Sequence, residues 1–220
     1  LFAYRSQMKA TKAQETGRFA EEITAIPVPV SKTGKILFER DEFIKSNTTL
    51  EKLSTLKPAF KKEGGTVTAG NASGLNDGAA ALYVASRKAV DKYGLVPKVR
   101  IVASGVAGVE PRIMGIGPVP ATQTALQKAG LKLADMDVIE LNEAFAAQSL
   151  ACIRLWGLED DDPRINPNGG AIALGHPLGM SGARIVYSAA LQLQKSGGRY
   201  ALATMCIGVG QGYAVILEKV

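Results

Sequence analysis

The chain has one histidine and two cysteines in 220 residues, so proton transfer or nucleophilic chemistry must be built from very few side chains. His176 stands in the run Gly169-Gly170-Ala171-Ile172-Ala173-Leu174-Gly175-His176-Pro177-Leu178-Gly179. A histidine between glycine and proline, just ahead of a helix, lies off any apolar stripe. The glycines leave its imidazole open to a ligand, and Pro177 fixes the turn. Cys206 opens Cys206-Ile207-Gly208-Val209-Gly210-Gln211-Gly212. A buried cysteine is most often a small hydrophobe, but one at a strand end facing three glycines can expose its sulfur. With an ordinary pKa of about 8.5, such a thiol serves as a general acid or base if a neighbour shifts it. Asn142 begins Asn142-Glu143-Ala144-Phe145-Ala146, where its amide either caps the helix that follows or faces a ligand. Cys152, between Leu150 and Ile153 on an amphipathic helix, reads as packing. Two cysteines and one histidine lack the paired spacing of a zinc site, so no metal is expected. The glycines around His176 miss the dinucleotide-binding spacing, and no Walker A run occurs.

These residues need elements to hold them. Residues 1–23 read as a helix, with Tyr4, Met8 and Phe19 on one face and Gly17 as its weak point. Residues 24–65 read as irregular, punctuated by Pro27, Pro29, the Lys32-Thr33-Gly34-Lys35 turn and Pro58. A short strand at Thr66–Ala69 leads through Gly70-Asn71-Ala72-Ser73-Gly74 into a helix capped by Asn76 or Asp77 and ending at Gly94. Then come a strand at Val99–Val106, a helix from Pro120 to Gly130, a strand at Asp137–Leu141 and a helix at Glu143–Leu155. The Gly-rich stretch feeds a helix from Ser181 to Lys195, followed by strands at Arg199–Met205 and Tyr213–Lys219. The alternation predicts an α/β layer: a mixed five-stranded sheet covered by helices, with ligands outside the carboxyl ends of its strands. Asn142 and Cys206 both lie at such ends.

Composition narrows the classes. At 23.1 kDa, with 46% hydrophobic and 21% charged residues, the chain is ordinary globular material rather than disordered or fibrous. No window approaches the roughly 18 uncharged apolar residues of a membrane span, and no basic-then-apolar start resembles a signal peptide. Two cysteines make no disulfide framework, which predicts a reducing compartment. The net charge of +6 favours an anionic partner, but the six Tyr and six Phe are not interleaved with basic runs, which argues against nucleic acid. Glycine, at 24 residues, exceeds the usual ~7% and suggests backbone close to a ligand or tight turns.

Taken together, the three segments resemble the C-terminal signatures of the thiolases in identity, order and spacing. Gly70-Asn71-Ala72-Ser73-Gly74-Leu75-Asn76-Asp77-Gly78 adds a fourth match. The runs Gly108–Pro118 and Thr204–Gly210 are most similar to thiolases that act on 3-oxoadipyl-CoA in bacterial aromatic degradation. The resemblance implies a layered α-β-α thiolase fold. It also implies an acyl-CoA acyltransferase that cleaves a 3-oxoacyl-CoA with free CoA, or runs the reverse Claisen condensation, through an acyl-cysteine. By position, His176 would deprotonate the nucleophilic cysteine, and Asn142 would hold a water that completes an oxyanion site. Cys206 would act as acid and base, and the Gly208 N–H would serve a second oxyanion site. Ser73, Met114 and Phe145 would line the acyl and pantetheine channel, with Lys45 and Lys52 near the CoA phosphates or simply on a solvated surface. CoA enters as substrate and no cofactor is implied. The expected setting is cytoplasmic, as a homodimer or homotetramer with no membrane partner. Arg112 and Arg154 are candidates, by type alone, for the distal carboxylate of a dicarboxylic substrate.

One piece of the family pattern is missing: neither cysteine sits in the Cys-x-Ser-Gly context of the nucleophile. Residues 1–65 resemble the remainder of a loop domain, 66–95 the end of an N-terminal core half, and 96–220 a C-terminal core half. The chain, which begins at Leu1, therefore reads as roughly the second half of a thiolase and is expected to be inactive alone. As an isolated half it is expected to expose the apolar face of its Gly182–Leu193 helix. A ketosynthase of the same superfold fits poorly with a single histidine. A non-catalytic acyl-CoA-binding relative is the other alternative.

Overall fold

The computed structural model describes residues 1–30 and 34–220, so the expected turn at Lys32-Thr33-Gly34-Lys35 lies partly outside the described residues. In chain order the elements are α1 (Phe2–Glu15), β1 (Ile26–Pro29), β2 (Lys35–Phe38), α2 (Leu50–Ser54), α3 (Arg87–Tyr93), β3 (Val99–Gly108), α4 (Pro118–Ala129) and β4 (Val138–Leu141). They continue with α5 (Ala146–Leu155), α6 (Ala171–Leu174), α7 (Ser181–Ser196), β5 (Tyr200–Ile207) and β6 (Gln211–Lys219). The main sheet has the order β3-β6-β5-β4: β6 is antiparallel to both neighbours, and β4 runs parallel to β5. A parallel pair needs a long crossover, and α5, α6 and α7 supply it.

Period-two alternation sorts the strands onto two cores. Ile139, Leu141, Leu202, Ala214 and Ile216 face Ala121, Ala125, Cys152 and Ile153 of α4 and α5. On the opposite face Val138, Ala201 and Leu217 meet Ala189 and Leu193 of α7. Each fully buried Leu or Ile contributes about 1.5–3 kcal/mol, so the α-β-α layering follows from β4 being buried on both faces. The expected mixed α/β sheet is therefore present.

Five details differ from expectation. The main sheet has four strands, because Thr66–Ala69 does not join it. Asn71 Oδ1 accepts the Thr68 N–H at 2.8 Å and Thr68 Oγ1 accepts that of Gly70 at 3.2 Å, so side chains replace a ladder. The fifth position is held instead by Ile165, which makes an isolated parallel bridge to Ile139. Within the stretch expected to be irregular, β1 and β2 pair as an antiparallel hairpin and α2 forms one capped turn. The helix expected from Asn76 or Asp77 begins only at α3, where Ser86 accepts the Ala89 N–H, although it ends at Gly94 as expected. Leu75 (93% exposed) and Tyr83 (103%) find nothing to pack on, and an isolated helix is marginal without packing. It is here, rather than on α7, that apolar side chains are exposed: α7 buries Ile185, Ala189 and Leu193 against the sheet. The first helix ends at Glu15 and resumes after Gly17 as the short turn Arg18–Glu21.

Behind the sheet's carboxyl end, Glu143 is buried in a knot of donors. Its carboxylate accepts from Ser6 Oγ at 2.6 Å, Asn166 Nδ2 at 2.8 Å and the Ile172 N–H at 3.1 Å. Gly170 leaves no room for a Cβ beside it. Glu143→Ala would strand three buried donors and open a cavity, so it should lower unfolding stability in urea by about 3–5 kcal/mol. Glu143→Gln, which faces one donor with another, should cost about 1–3 kcal/mol. A loss below about 1 kcal/mol for the alanine variant would show that the knot holds nothing together.

Candidate active site

The parallel pairing of β4 with β5 sets Leu141 opposite Thr204, and the Asn142 N–H extends the ladder to Thr204 O at 2.9 Å. Asn142 and Cys206 thus emerge at the carboxyl ends of adjacent strands, which lie about 4.8 Å apart. Alternation sends them to opposite faces. Asn142, one residue past Leu141, turns toward α7; Cys206, in step with Leu202 and Thr204, turns toward α4 and α5.

On the α7 side, Asn142 Nδ2 lies 3.3 Å from His176 Nε2, and His176 Nδ1 lies 2.6 Å from Ser181 Oγ. The Ser181 hydroxyl hydrogen is already committed to Pro177 O at 2.9 Å. Ser181 can then only accept from the imidazole, so Nδ1 carries the hydrogen and Nε2 presents a lone pair. Burial lowers the His176 pKa, and the nearby Arg184 charge lowers it further, which keeps the ring neutral. Asn142 is 1% exposed and caps no helix, since the residue before α5 is Phe145. Its Oδ1 is buried without a partner, an acceptor oriented to receive one.

Cys206 is buried at 5% exposure, and burial pushes its thiol up. Among the described residues it makes no hydrogen bond to His176 or Asn142, and no cation lowers its pKa. It is therefore held as a neutral thiol, the form that can give a proton. The three glycines after it divide by environment. A Cβ on Gly210 would collide with Val109 O, and one on Gly212 with Gly117 O. A Cβ on Gly208 would meet nothing within 4 Å, so that backbone alone faces open space. Val209 at the tip takes φ +68°, a strained value for a β-branched residue. Cys152 is core: its thiol donates to Gly115 O at 3.3 Å, and burial raises its pKa to about 12.

The other expected contacts sort unevenly. Ser73 N–H donates to Ala144 O at 3.0 Å, Ala72 bridges Phe145, and His176 N–H donates to Gly74 O at 3.2 Å. The 70–78 run is thereby laid against both the Asn142 loop and the His176 turn. Phe145 meets Phe60 edge to face at 6.2 Å, a neighbour with no signal in the sequence. Met114 is half-buried in the turn Pro111–Ile116, which packs on α5 and β5. Lys45 is exposed, its ammonium 5.0 Å from the Phe43 ring centroid. Lys52 is exposed and donates to Asn47 O at 2.9 Å. Arg112 already pairs with Glu110, and Arg154 pairs through two hydrogen bonds with Asp160. Arg154 is also eight residues along α5 from Ala146, about 12 Å. Residues that sequence reasoning passed over do much of the positioning: Ser181, Arg184 and Asn76. Ser181 and Arg184 follow the histidine run within five residues of Gly179, and that was the available signal. Among the described residues, no group of three or more His, Cys, Asp or Glu is placed to hold a metal ion, and no helix is long and apolar enough to cross a membrane.

Comparison with known proteins places this geometry. Residues 95–219 match the family model described as thiolase, C-terminal domain, and residues 1–88 match thiolase, N-terminal domain. The chain is 60% identical over 220 residues to a β-ketoadipyl-CoA thiolase of Pseudomonas aeruginosa, covering 100% of itself and 54% of that relative. The crystal structure of human mitochondrial 3-ketoacyl-CoA thiolase superposes with a TM-score of 0.94 at 51% identity, over 100% of this chain and 54% of the other. The same human enzyme in complex with CoA gives 0.92 at 50%, over 100% and 53%. The chain spans about half the length of the relatives it matches.

Because His176 is the chain's only histidine, its imidazole proton signals are unambiguous in an NMR titration. The midpoint should fall below the ordinary value of about 6.5, with a nitrogen pattern showing hydrogen on Nδ1. Since the folded state disfavours the proton, stability should decline as pH falls through that ordinary value. A midpoint at or above 6.5, or hydrogen on Nε2, would contradict the geometry.

Proposed function

The chain belongs to the thiolase family, and on that footing we propose that it carries the acid–base machinery of an acyl-CoA acyltransferase that cleaves 3-oxoadipyl-CoA with CoA or runs the reverse condensation. The observation that carries this reading is the Asn142–His176–Ser181 chain of contacts, which leaves a neutral imidazole with its Nε2 lone pair facing a buried carboxamide.

The reaction needs a nucleophilic cysteine in a Cys-x-Ser-Gly setting, which neither Cys152 nor Cys206 has. His176 Nε2 accepts that cysteine's proton as its sulfur attacks the 3-oxo carbon. The resulting imidazolium, with Asn142 and a water it holds, stabilises the oxyanion. The bond between C2 and C3 breaks, leaving the acyl group on the cysteine and an acetyl-CoA enolate. The Cys206 thiol protonates the enolate carbon; its thiolate then takes the proton of incoming CoA, whose sulfur attacks the acyl-cysteine, and the cysteine thiolate leaves and regains its proton from the His176 imidazolium as the shortened acyl-CoA departs. The Gly208 N–H, on a residue whose Cβ position is open, serves the second oxyanion, and prealigned donors of this kind are worth about 3–4 kcal/mol each. Ser73, Met114 and Phe145 line the channel for the pantetheine arm, and Lys45 and Lys52 attract the CoA phosphates.

The preference for a dicarboxylic substrate rests on the 60% identity to a β-ketoadipyl-CoA thiolase. Its distal carboxylate needs a cation other than Arg154, which Asp160 already holds. We assign residues 1–65 to a loop domain, 66–95 to the end of one core half and 96–220 to the other, a division supported by family models that meet between residues 88 and 95. The working protein is a cytoplasmic homodimer or homotetramer.

The test is a panel of 3-oxoacyl-CoA substrates on the longer protein that carries this chain. Thiolysis should be fastest with 3-oxoadipyl-CoA. His176→Ala and Cys206→Ser should each lower kcat by about 10²–10⁴, and Asn142→Ala by about 10²–10³. The 220 residues alone should show no turnover. Activity of that piece alone, or full activity of the His176→Ala variant, would overturn the mechanism. A faster reaction with acetoacetyl-CoA would overturn only the substrate.

A further inference from the structure

The peptide unit joining Gly175 to His176 is gripped at both of its polar ends. Arg184 Nη1, two turns further on in the motif, donates to Gly175 O at 2.9 Å. On the other side, the His176 N–H is shared between Gly74 O at 3.2 Å and Asn76 Oδ1 at 3.4 Å. Gly175 itself sits at φ +87°, a conformation side chains rarely adopt, and a Cβ there would collide with the Asn76 amide. Fixing that peptide plane sets the direction of the His176 Cα–Cβ bond. The ring is then held at its far corners by Ser181 and Asn142. Ring contacts alone leave the backbone free to rotate the whole side chain; the backbone grip removes that freedom.

We propose that Arg184 is a positioning residue for His176, acting through the Gly175 carbonyl, with Asn76 as its counterpart on the amide side. This deepens the thiolase reading and rests on it only for the role of His176 as base. Arg184 suits the task because its guanidinium is a permanent cation with several planar donors, and a half-buried cation needs counter-charge. Four carboxyl groups face it: Glu140 from β4, Glu143 from the loop after β4, and Glu22 and Asp41 from the N-terminal segments. Glu140, Asn142, Asn168, Arg184 and Ser188 line one small cleft. Burial raises Glu140 to about 8, so through the range where His176 titrates it is protonated and does not offset the Arg184 charge. Arg184 thus holds the ring in place and disfavours its protonated form.

The test reads His176 directly in the 220-residue chain, by its ring-nitrogen shifts and its titration midpoint, and does not depend on turnover. Arg184→Met keeps bulk and removes both donor and charge. It should raise the midpoint toward the ordinary value and convert a single Nδ1–H tautomer into a mixture. Arg184→Lys keeps the charge but loses the fork, so it should keep the low midpoint while mixing the tautomers. In the longer protein, Arg184→Met should lower kcat by about 10²-fold with little change in KM, the effect of a misplaced group rather than lost binding. A folded Arg184→Met chain with an unchanged midpoint and tautomer overturns the proposal, whatever the activity. Shifted NMR parameters without any 3-oxoacyl-CoA turnover would support the positioning role and overturn the thiolase reading instead. Should the methionine variant fail to fold, the unmutated chain decides: a hydrogen-bonded Arg184 gives slowly exchanging, resolved Nη protons, and a freely rotating one overturns the assignment.

Discussion

A single buried carboxylate organises the end of the sheet where the polar residues converge. Glu143 takes one hydrogen bond from α1 through Ser6, one from the 166 turn through Asn166, and one from the start of α6 through the Ile172 N–H. Asn166 in turn mimics a neighbouring strand, accepting the Leu141 N–H and donating to Leu141 O, each at 2.8 Å. Burial raises the Glu143 pKa, and the three donors around it oppose that shift. The same low dielectric makes an unsatisfied member costly. The strand end that presents Asn142, the helix that leads to His176 and the first helix of the chain are therefore fastened at one point. Movement of any of them would break a bond to a group that has no water to turn to.

Close backbone approach works alongside that knot. Gly170 lets the chain pass beside the Glu143 carboxylate, and Gly175 lets it pass beside Asn76. Gly210 and Gly212 allow the β5–β6 hairpin to lie on Val109 and Gly117. These are positions where protein, not ligand, occupies the space a side chain would need. Gly208 is the exception, and the contrast shows why one glycine count carries two meanings. High glycine content pointed to a ligand or to tight turns, and these four glycines instead serve packing of the chain on itself.

Much of this was legible from residue types. Strand alternation in 138–141, 200–207 and 211–219 is strong because both faces of those strands are buried, and the polar residues ending them stood out against that background. The helix at 181–196 was legible for the same reason, since its apolar stripe matches one face of the sheet. Less of the segment from 24 to 86 could be read. Its residues are mostly exposed, so no burial pattern distinguishes hairpin from loop there. In 66–71 a side-chain amide from Asn71 replaced the ladder that β-propensity suggested. The contacts that orient His176 were hidden for a different reason. Ser181, Arg184 and Asn76 are polar residues whose local context offers a cap, a surface charge or a turn, and only the three-dimensional return of the chain shows what they grip.

One physical cause gives the two titratable residues opposite and complementary states. Burial disfavours whichever form carries charge. For an imidazole that form is the protonated one, so His176 is kept neutral with an unprotonated Nε2. For a thiol it is the deprotonated one, so Cys206 is kept neutral with its proton. A base ready to receive and an acid ready to give thus coexist at neutral pH without an ion pair between them, which would cancel both. Enzymes that run acid and base chemistry at one pH separate the pKa values of two groups in this way.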